Sequence, residues 1–280
     1  MSPRWRFQVR NSRFGGLVLA ATIFCAVSCS AAAQTESGSE AGKDSATPGP
    51  IPRTLDGKPD LSGLWDHPFV IDMSKDGRNN SCGAELKGCS QKGPGGELPM
   101  TEWAANWTKN FDPAKYDTTG HCNPMGYTRS MNAPVPTQIV QTPTEIVFLH
   151  ESMFAFHVVY LDGRRHPTPD EALETMWYGH SVGHWEGDTL VVDTVGPFFA
   201  TPKMLLDSRG HPVSDQLHVV EHFRRMDATH LSYEVTVDDP KMYTKPFSNV
   251  RTWVLMPKSE EILEYVCTEN NKEVDEHHIK

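Results

Sequence analysis

The chain has 280 residues, with 26 Lys and Arg against 36 Asp and Glu, 38% hydrophobic residues, 21 Gly and 21 Pro. That length carries one substantial core or two small ones, and the Gly and Pro content predicts many turns without low complexity. A formal charge of −10 excludes sequence-independent nucleic-acid binding and basic attachment to a membrane surface, both of which need cationic surface.

Residues 1–33 place Arg4, Arg6, Arg10 and Arg13 ahead of an apolar run from Leu17 to Val27 and close on Ala31-Ala32-Ala33. A basic start, an apolar stretch too short to span a bilayer comfortably and a small-residue end read as a secretory signal peptide cut near Ala33. Lipoprotein cleavage before Cys29 is the competing reading, which Ala26-Val27-Ser28 fits poorly. Cleavage near Ala33 removes four of the 26 basic groups and no acid, leaving 22 against 36, a formal −14. Residues 34–50 are polar and small and are expected to be a disordered tether. Residues 51–280 are expected to form a single β-rich domain with a loop and helical insertion over 72–136. Nothing after residue 33 is apolar enough to span a membrane, so a periplasmic or secreted protein is expected.

Along the domain, residues 62–66 (SGLWD) follow the turn Asp56-Gly57-Lys58-Pro59 and suit an opening strand; residues 72–97 read as irregular loop. Trp103 and Trp107, four apart after the capping residue Thr101, predict a helix over 100–111, and Pro169–Met176 suits a helical turn. From Thr137 onward come TQIVQ, EIVFLHE, AFHVVYLDG, HSVGHWE, TLVVDTV, QLHVVEHFRR, HLSYEVTV, RTWVLM and EILEYVC. These short β-branched and aromatic runs, bounded by Gly, Pro or Asp, predict an all-β antiparallel barrel or sandwich with few short helices.

Of the cysteines, Cys82, Cys89, Cys122 and Cys267 remain after cleavage, and an even number in an oxidising compartment favours disulfides. Three pairings are possible. Local closure of Cys82 with Cys89 leaves Cys122 with Cys267 as a long-range staple. A four-Cys zinc site is the alternative, and the spacings do not match one.

The clearest local structure is HSVGHWEGDTLVVDTV, where Gly187-Asp188 makes a two-residue hairpin turn that pairs Glu186 with Thr189 and Val182 with Asp193. Parity then puts His180, His184 and Asp193 on one face and Ser181, Gly183, Trp185, Leu190 and Thr194 on the other. A carboxylate beside two imidazoles can fix a tautomer and raise basicity, the makings of an acid/base site; the bland reading is a solvated face. His180 and His184 alone lie about 13 Å apart on a strand, too far for one metal ion. Residues 218–222 (HVVEH) have H-x-x-E-H spacing without the helical context that motif needs. Read as a strand, they put Glu221 on an apolar face, as a satisfied core group or a pocket acid with raised pKa. His157 is expected to be buried, and Tyr243 and Lys245 to sit on a loop over a barrel mouth. No phosphate loop, nucleophile elbow, haem attachment or dinucleotide fingerprint is present.

The strings PRTLDGKPDLSGLW (52–65), YLDGRRHP (160–167), GHSVGHWEGDTLVVDTVG (179–196) and EYVCTENN (264–271) together resemble a group of exported bacterial proteins, common in acidobacteria and sphingomonad-like proteobacteria. The resemblance covers residues 51–271 and implies an exported bacterial protein; it transfers no catalytic residue. Gly63-Leu64-Trp65 is similar to the G-x-W of lipocalins and related calycin barrels, which implies a closed barrel with a ligand site at its mouth.

The leading expectation is therefore an exported enzyme without a cofactor, acting on a small apolar or aromatic molecule by hydrolysis, dehydration or isomerisation. His180, His184, Asp193 and Glu221 would be catalytic, with His157, Trp185, Tyr243 and Lys245 as ligand contacts. The alternative is a carrier or sensor of a hydrophobic small molecule. A third reading, a metalloprotein using His157, His180, His184, His218 or His222, has no reliable ligand spacing behind it.

Overall fold

The computed structural model describes residues 49–77, 82, 87–168, 170–171, 177–196 and 204–268. The expected signal peptide, nearly all of the tether and most of the helical turn at 169–176 lie outside the described residues. The strands are β1 (Gly63–Asp66), β2 (Ser90–Lys92), β3 (Thr137–Gln141), β4 (Glu145–His150), β5 (Ala155–Tyr160), β6 (His180–Glu186), β7 (Thr189–Val195), β8 (His218–Arg225), β9 (His230–Asp238) and β10 (Phe247–Leu255). The helices are α1 (Glu102–Lys109), α2 (Pro113–Tyr116) and α3 (Tyr127–Ser130). None of the described helices is long and apolar enough to cross a membrane.

Nine strands close a barrel in the order β1-β3-β4-β5-β6-β7-β8-β9-β10, with β10 returning to β1 through Trp65–Leu255 and Asp66–Val254, while β2 adds to β10 alongside. An odd number of strands cannot alternate in direction all the way round, so one neighbouring pair must be parallel. That pair is β5–β6; every other wall pairing is antiparallel. A parallel neighbour needs a long crossover, here residues 161–179. Closure leaves no edge for the expected last strand EILEYVC: residues 261–268 run outside the sheet. They are tied by the Leu263 N–H to Glu151 Oε2 at 3.0 Å and by the Cys122–Cys267 disulfide. The second disulfide is Cys82–Cys89.

Alternate residues fill the barrel: Trp65, Ile139, Phe148, Val159, Leu190, Val219, Phe223, Tyr233 and Trp253 are all buried. The sequence expectation for α1 holds, with Thr101 Oγ1 accepting from Ala104 N at 3.3 Å. Trp65 Nε1 donates to Leu61 O at 2.9 Å, and the Arg225 guanidinium lies over its ring at 5.2 Å while donating to the Asp60, Ala228 and Asp227 carbonyls. The four residues of α3 are buried. They form a plug reaching the inner wall at Glu221, through Tyr127.

Candidate functional site

The β5–β6 contact is short: Val159 pairs with Ser181 and Tyr160 with Val182, and nothing more. The first half of β5 therefore diverges from residues 177–179, opening a slot of about 360 Å³ lined by Phe154, Phe156, His157, Tyr160, Trp177 and Tyr178, among others. Gly179 turns the chain into β6 at φ 70°, and a Cβ there would stand 2.4 Å from Val195 O. On the opposite rim, Met153 and Phe154 hold φ values of 62° and 48°. Bulky residues in that region cost about 1–3 kcal/mol each and concentrate where a site is being shaped. Phe154 and Phe156 are 55% and 64% exposed, an apolar rim that a folded protein normally covers.

The floor of the slot is polar. His157 is buried, with Nε2 2.5 Å from Ser181 Oγ, which in turn lies 2.6 Å from Thr194 Oγ1. Its Nδ1 has no hydrogen-bond partner among the described residues. Phe148 stacks on the imidazole at 5.6 Å and Tyr127 meets it edge-on at 4.3 Å. Burial holds the His157 pKa well below the ordinary value, so the ring is neutral and offers one donor and one acceptor. Tyr178 Oη lies 2.7 Å from Ser130 Oγ on the plug, and burial pushes its pKa up to about 12. It stays a protonated donor at any working pH.

Behind this floor, the Tyr127 and Tyr233 hydroxyls both donate to the Glu221 carboxyl group. Full burial pushes Glu221 up to about 8, against the pull of the Tyr233 hydrogen bond and of Arg251. Arg251 is itself buried, donating to Met131 O at 3.0 Å with its guanidinium 5.3 Å from the Tyr233 ring. Burial keeps Glu221 neutral below about pH 8, so its own proton is shared with one of the two tyrosine oxygens; it anchors the plug and does not line the slot.

The structure separates the residues that the sequence suggested as one constellation. Glu221 pairs with Val192 and faces the interior, whereas Asp193 pairs with Val220 and faces outward with His180 and His184. Asp193 does organise imidazoles, but different ones. Its Oδ1 is 3.1 Å from His166 Nε2 and 3.0 Å from His218 Nε2, and His166 Nδ1 lies 2.9 Å from His180 Nδ1 on the slot rim. The His218 hydrogen bond, more than anything else, holds Asp193 below the usual carboxylate range. His184 pairs with the exposed Glu186 at 3.1 Å. Trp185 is half-buried with Lys58 Nζ 5.8 Å from its ring. Tyr243 is buried and donates to Pro212 O at 2.9 Å, and Lys245 is exposed, so neither contacts the slot. His222 is half-buried on the outward face of β8.

The sequence reading missed Ser181, Tyr178 and Tyr127. Ser181 lay on the face opposite the histidines, and only its cross-strand partner Thr194, a second small hydroxyl, hinted at a polar interior there. Tyr127 follows Gly126 in a four-residue helix without a side-chain cap, leaving no periodicity to read. No family model, no curated protein and no solved structure matches the chain.

Proposed function

We propose that the protein is an exported small-molecule-binding barrel that takes a flat, largely apolar molecule into the β5–β6 slot, with a hydrogen-bonding group of that molecule engaging His157. The observation that carries this reading is His157 on the floor of an aromatic slot, with a buried Nδ1 that has no partner among the described residues. A buried polar atom without a partner costs about 1–3 kcal/mol, which a ligand hydrogen bond recovers. Two disulfides and the signal-like first 33 residues support export.

A second reading is supported by the 2.5 Å contact between Ser181 Oγ and His157 Nε2. A neutral imidazole joined to a hydroxyl is equipped for cofactor-independent proton transfer in hydrolysis, dehydration or isomerisation. Native against denatured mass of protein purified from a periplasm tests for a resident organic ligand. Titration with the fluorescent aromatic probe 1-anilinonaphthalene-8-sulfonate then compares variants. His157→Phe keeps the ring packing and removes both nitrogens; it is expected to weaken probe binding about tenfold. Unchanged affinity in a folded His157→Phe variant defeats the binding reading. Loss of turnover with retained binding in Ser181→Ala would favour the catalytic one.

A further inference from the structure

Apart from the slot, the loop after β1 and the loop between β7 and β8 meet at Asp72, Asp207 and His211. One potential ligand atom from each lies within 4.8 Å of the other two. Asp207 is fully buried. Its Oδ2 accepts from the Met73 N–H at 2.7 Å, its Oδ1 from the Arg209 N–H at 3.0 Å, and His211 Nδ1 stands 2.7 Å from Oδ2. Asp72 Oδ1 accepts from Ser74 N and Oγ at 2.9 and 2.6 Å.

His211 is only 3% exposed, and its Nε2 has no hydrogen-bond partner among the described residues. With Asp72 it lines a cavity of about 330 Å³. A carboxylate on Nδ1 holds the ring proton there and leaves the lone pair on Nε2, as the outer carboxylate does for metal-bound histidines. The Asp207 oxygens are taken by Met73, Arg209 and His211, so the carboxylate left to meet a cation beside Nε2 is Asp72. Lys75 on the same cavity is occupied by Glu97 at 2.6 Å. Lys109 and Arg209 also line it, so coordination positions facing the cavity suit water or an anion.

We infer that Asp72 and His211, oriented by Asp207, form a binding site for a borderline divalent transition ion such as Zn²⁺, open on its cavity side. One imidazole with carboxylate oxygens suits Zn²⁺ or Mn²⁺ better than Ca²⁺, and a site with few protein ligands and free positions is of the open kind rather than the closed structural kind.

The test is calorimetric titration and native mass of the full chain with ZnCl₂ after chelator treatment, alongside Asp72→Asn, His211→Gln and, as a control, His180→Ala. The site predicts one Zn²⁺ per chain, affinity reduced about tenfold or more in Asp72→Asn and His211→Gln, and unchanged binding in His180→Ala. Zinc should raise the Tm of the wild type and not that of the two site variants. No uptake at micromolar zinc, full affinity retained by Asp72→Asn, or loss in His180→Ala would each overturn the assignment. If His211→Gln fails to fold, Asp72→Asn decides alone, since Asn keeps an oxygen for the Ser74 hydrogen bonds.

Discussion

Tyr127 stands between two ionisable side chains that burial drives in opposite directions. Its ring edge meets neutral His157 at 4.3 Å, and its hydroxyl serves a Glu221 pushed up to about 8. Taking an unfolded carboxyl near the ordinary value of 4.5, the folded chain keeps a proton between pH 4.5 and 8 that the unfolded chain releases. The unfolded state then binds fewer protons, so stability falls as pH rises through that window, by about 1.4 kcal/mol per pH unit, and levels off above it. Glu221→Gln places a permanently neutral group of the same shape between the two tyrosines. We expect its urea midpoint to stay near that of the wild type at pH 5 and to exceed it at pH 8. Identical pH profiles for the two proteins would mean that some other group titrates. The residue is accordingly a poor candidate for shuttling protons to a substrate: its proton is held by the fold, behind the slot floor.

The slot depends on how β6 begins. Gly179 takes φ 70° and leaves no room for a Cβ beside Val195 O, so Gly179→Ala should cost more than about 1 kcal/mol and displace Trp177 and Tyr178 from the slot. A fluorescence emission and Tm unchanged from the wild type would show that the seam tolerates a side chain there. Much of this region was legible beforehand. Gly187-Asp188 fixes the β6–β7 register, and the observed pairs from Glu186–Thr189 to Val182–Asp193 are the expected ones. The string PRTLDGKPD also meets that turn in space, with Arg53 donating to both Asp188 oxygens at 2.9 and 2.7 Å. What parity could not tell was which face is inside. Val191 and Val192 are both buried although they point to opposite sides of β7, and the inner row carries Ser181, Gly183 and Thr194 where a core would usually be aliphatic. Hydrophobicity therefore had no sign to give, and the chemically attractive face proved to be the outer one. The slot itself arises from a parallel pairing and a crossover over residues 161–179, long-range features that local pattern does not encode.

At the scale of the whole barrel, enclosing polar side chains sets a pH range for the fold. His67 and His150 are lowered by burial to about 4 and about 3, and His157 lies well below its ordinary value. His67 and His150 are linked through a side chain: His67 Nε2 is 3.2 Å from Thr137 Oγ1, which is 3.3 Å from His150 Nδ1. Below pH 6.5 the unfolded chain protonates these imidazoles while the folded chain cannot until near pH 4. There the unfolded state binds more protons, and stability is lost as pH falls. Glu221 acts with the opposite sign between 4.5 and 8, but one group set against three loses across their shared range. Above pH 6.5 the carboxyl slope remains, joined by His218, which its Asp193 hydrogen bond raises and which therefore adds to the fall. Stability should therefore peak near pH 6.5, with an acid limb whose slope reaches about twice that of a single titrating group, three imidazoles working there against one carboxyl. Calorimetric Tm from pH 4.5 to 8 measures this directly. A maximum near pH 5 would mean that at least two of the three imidazoles are solvated or charged in the folded barrel. For His157 in particular, a charged ring would give the slot floor a cation where the geometry places a neutral hydrogen-bonding group.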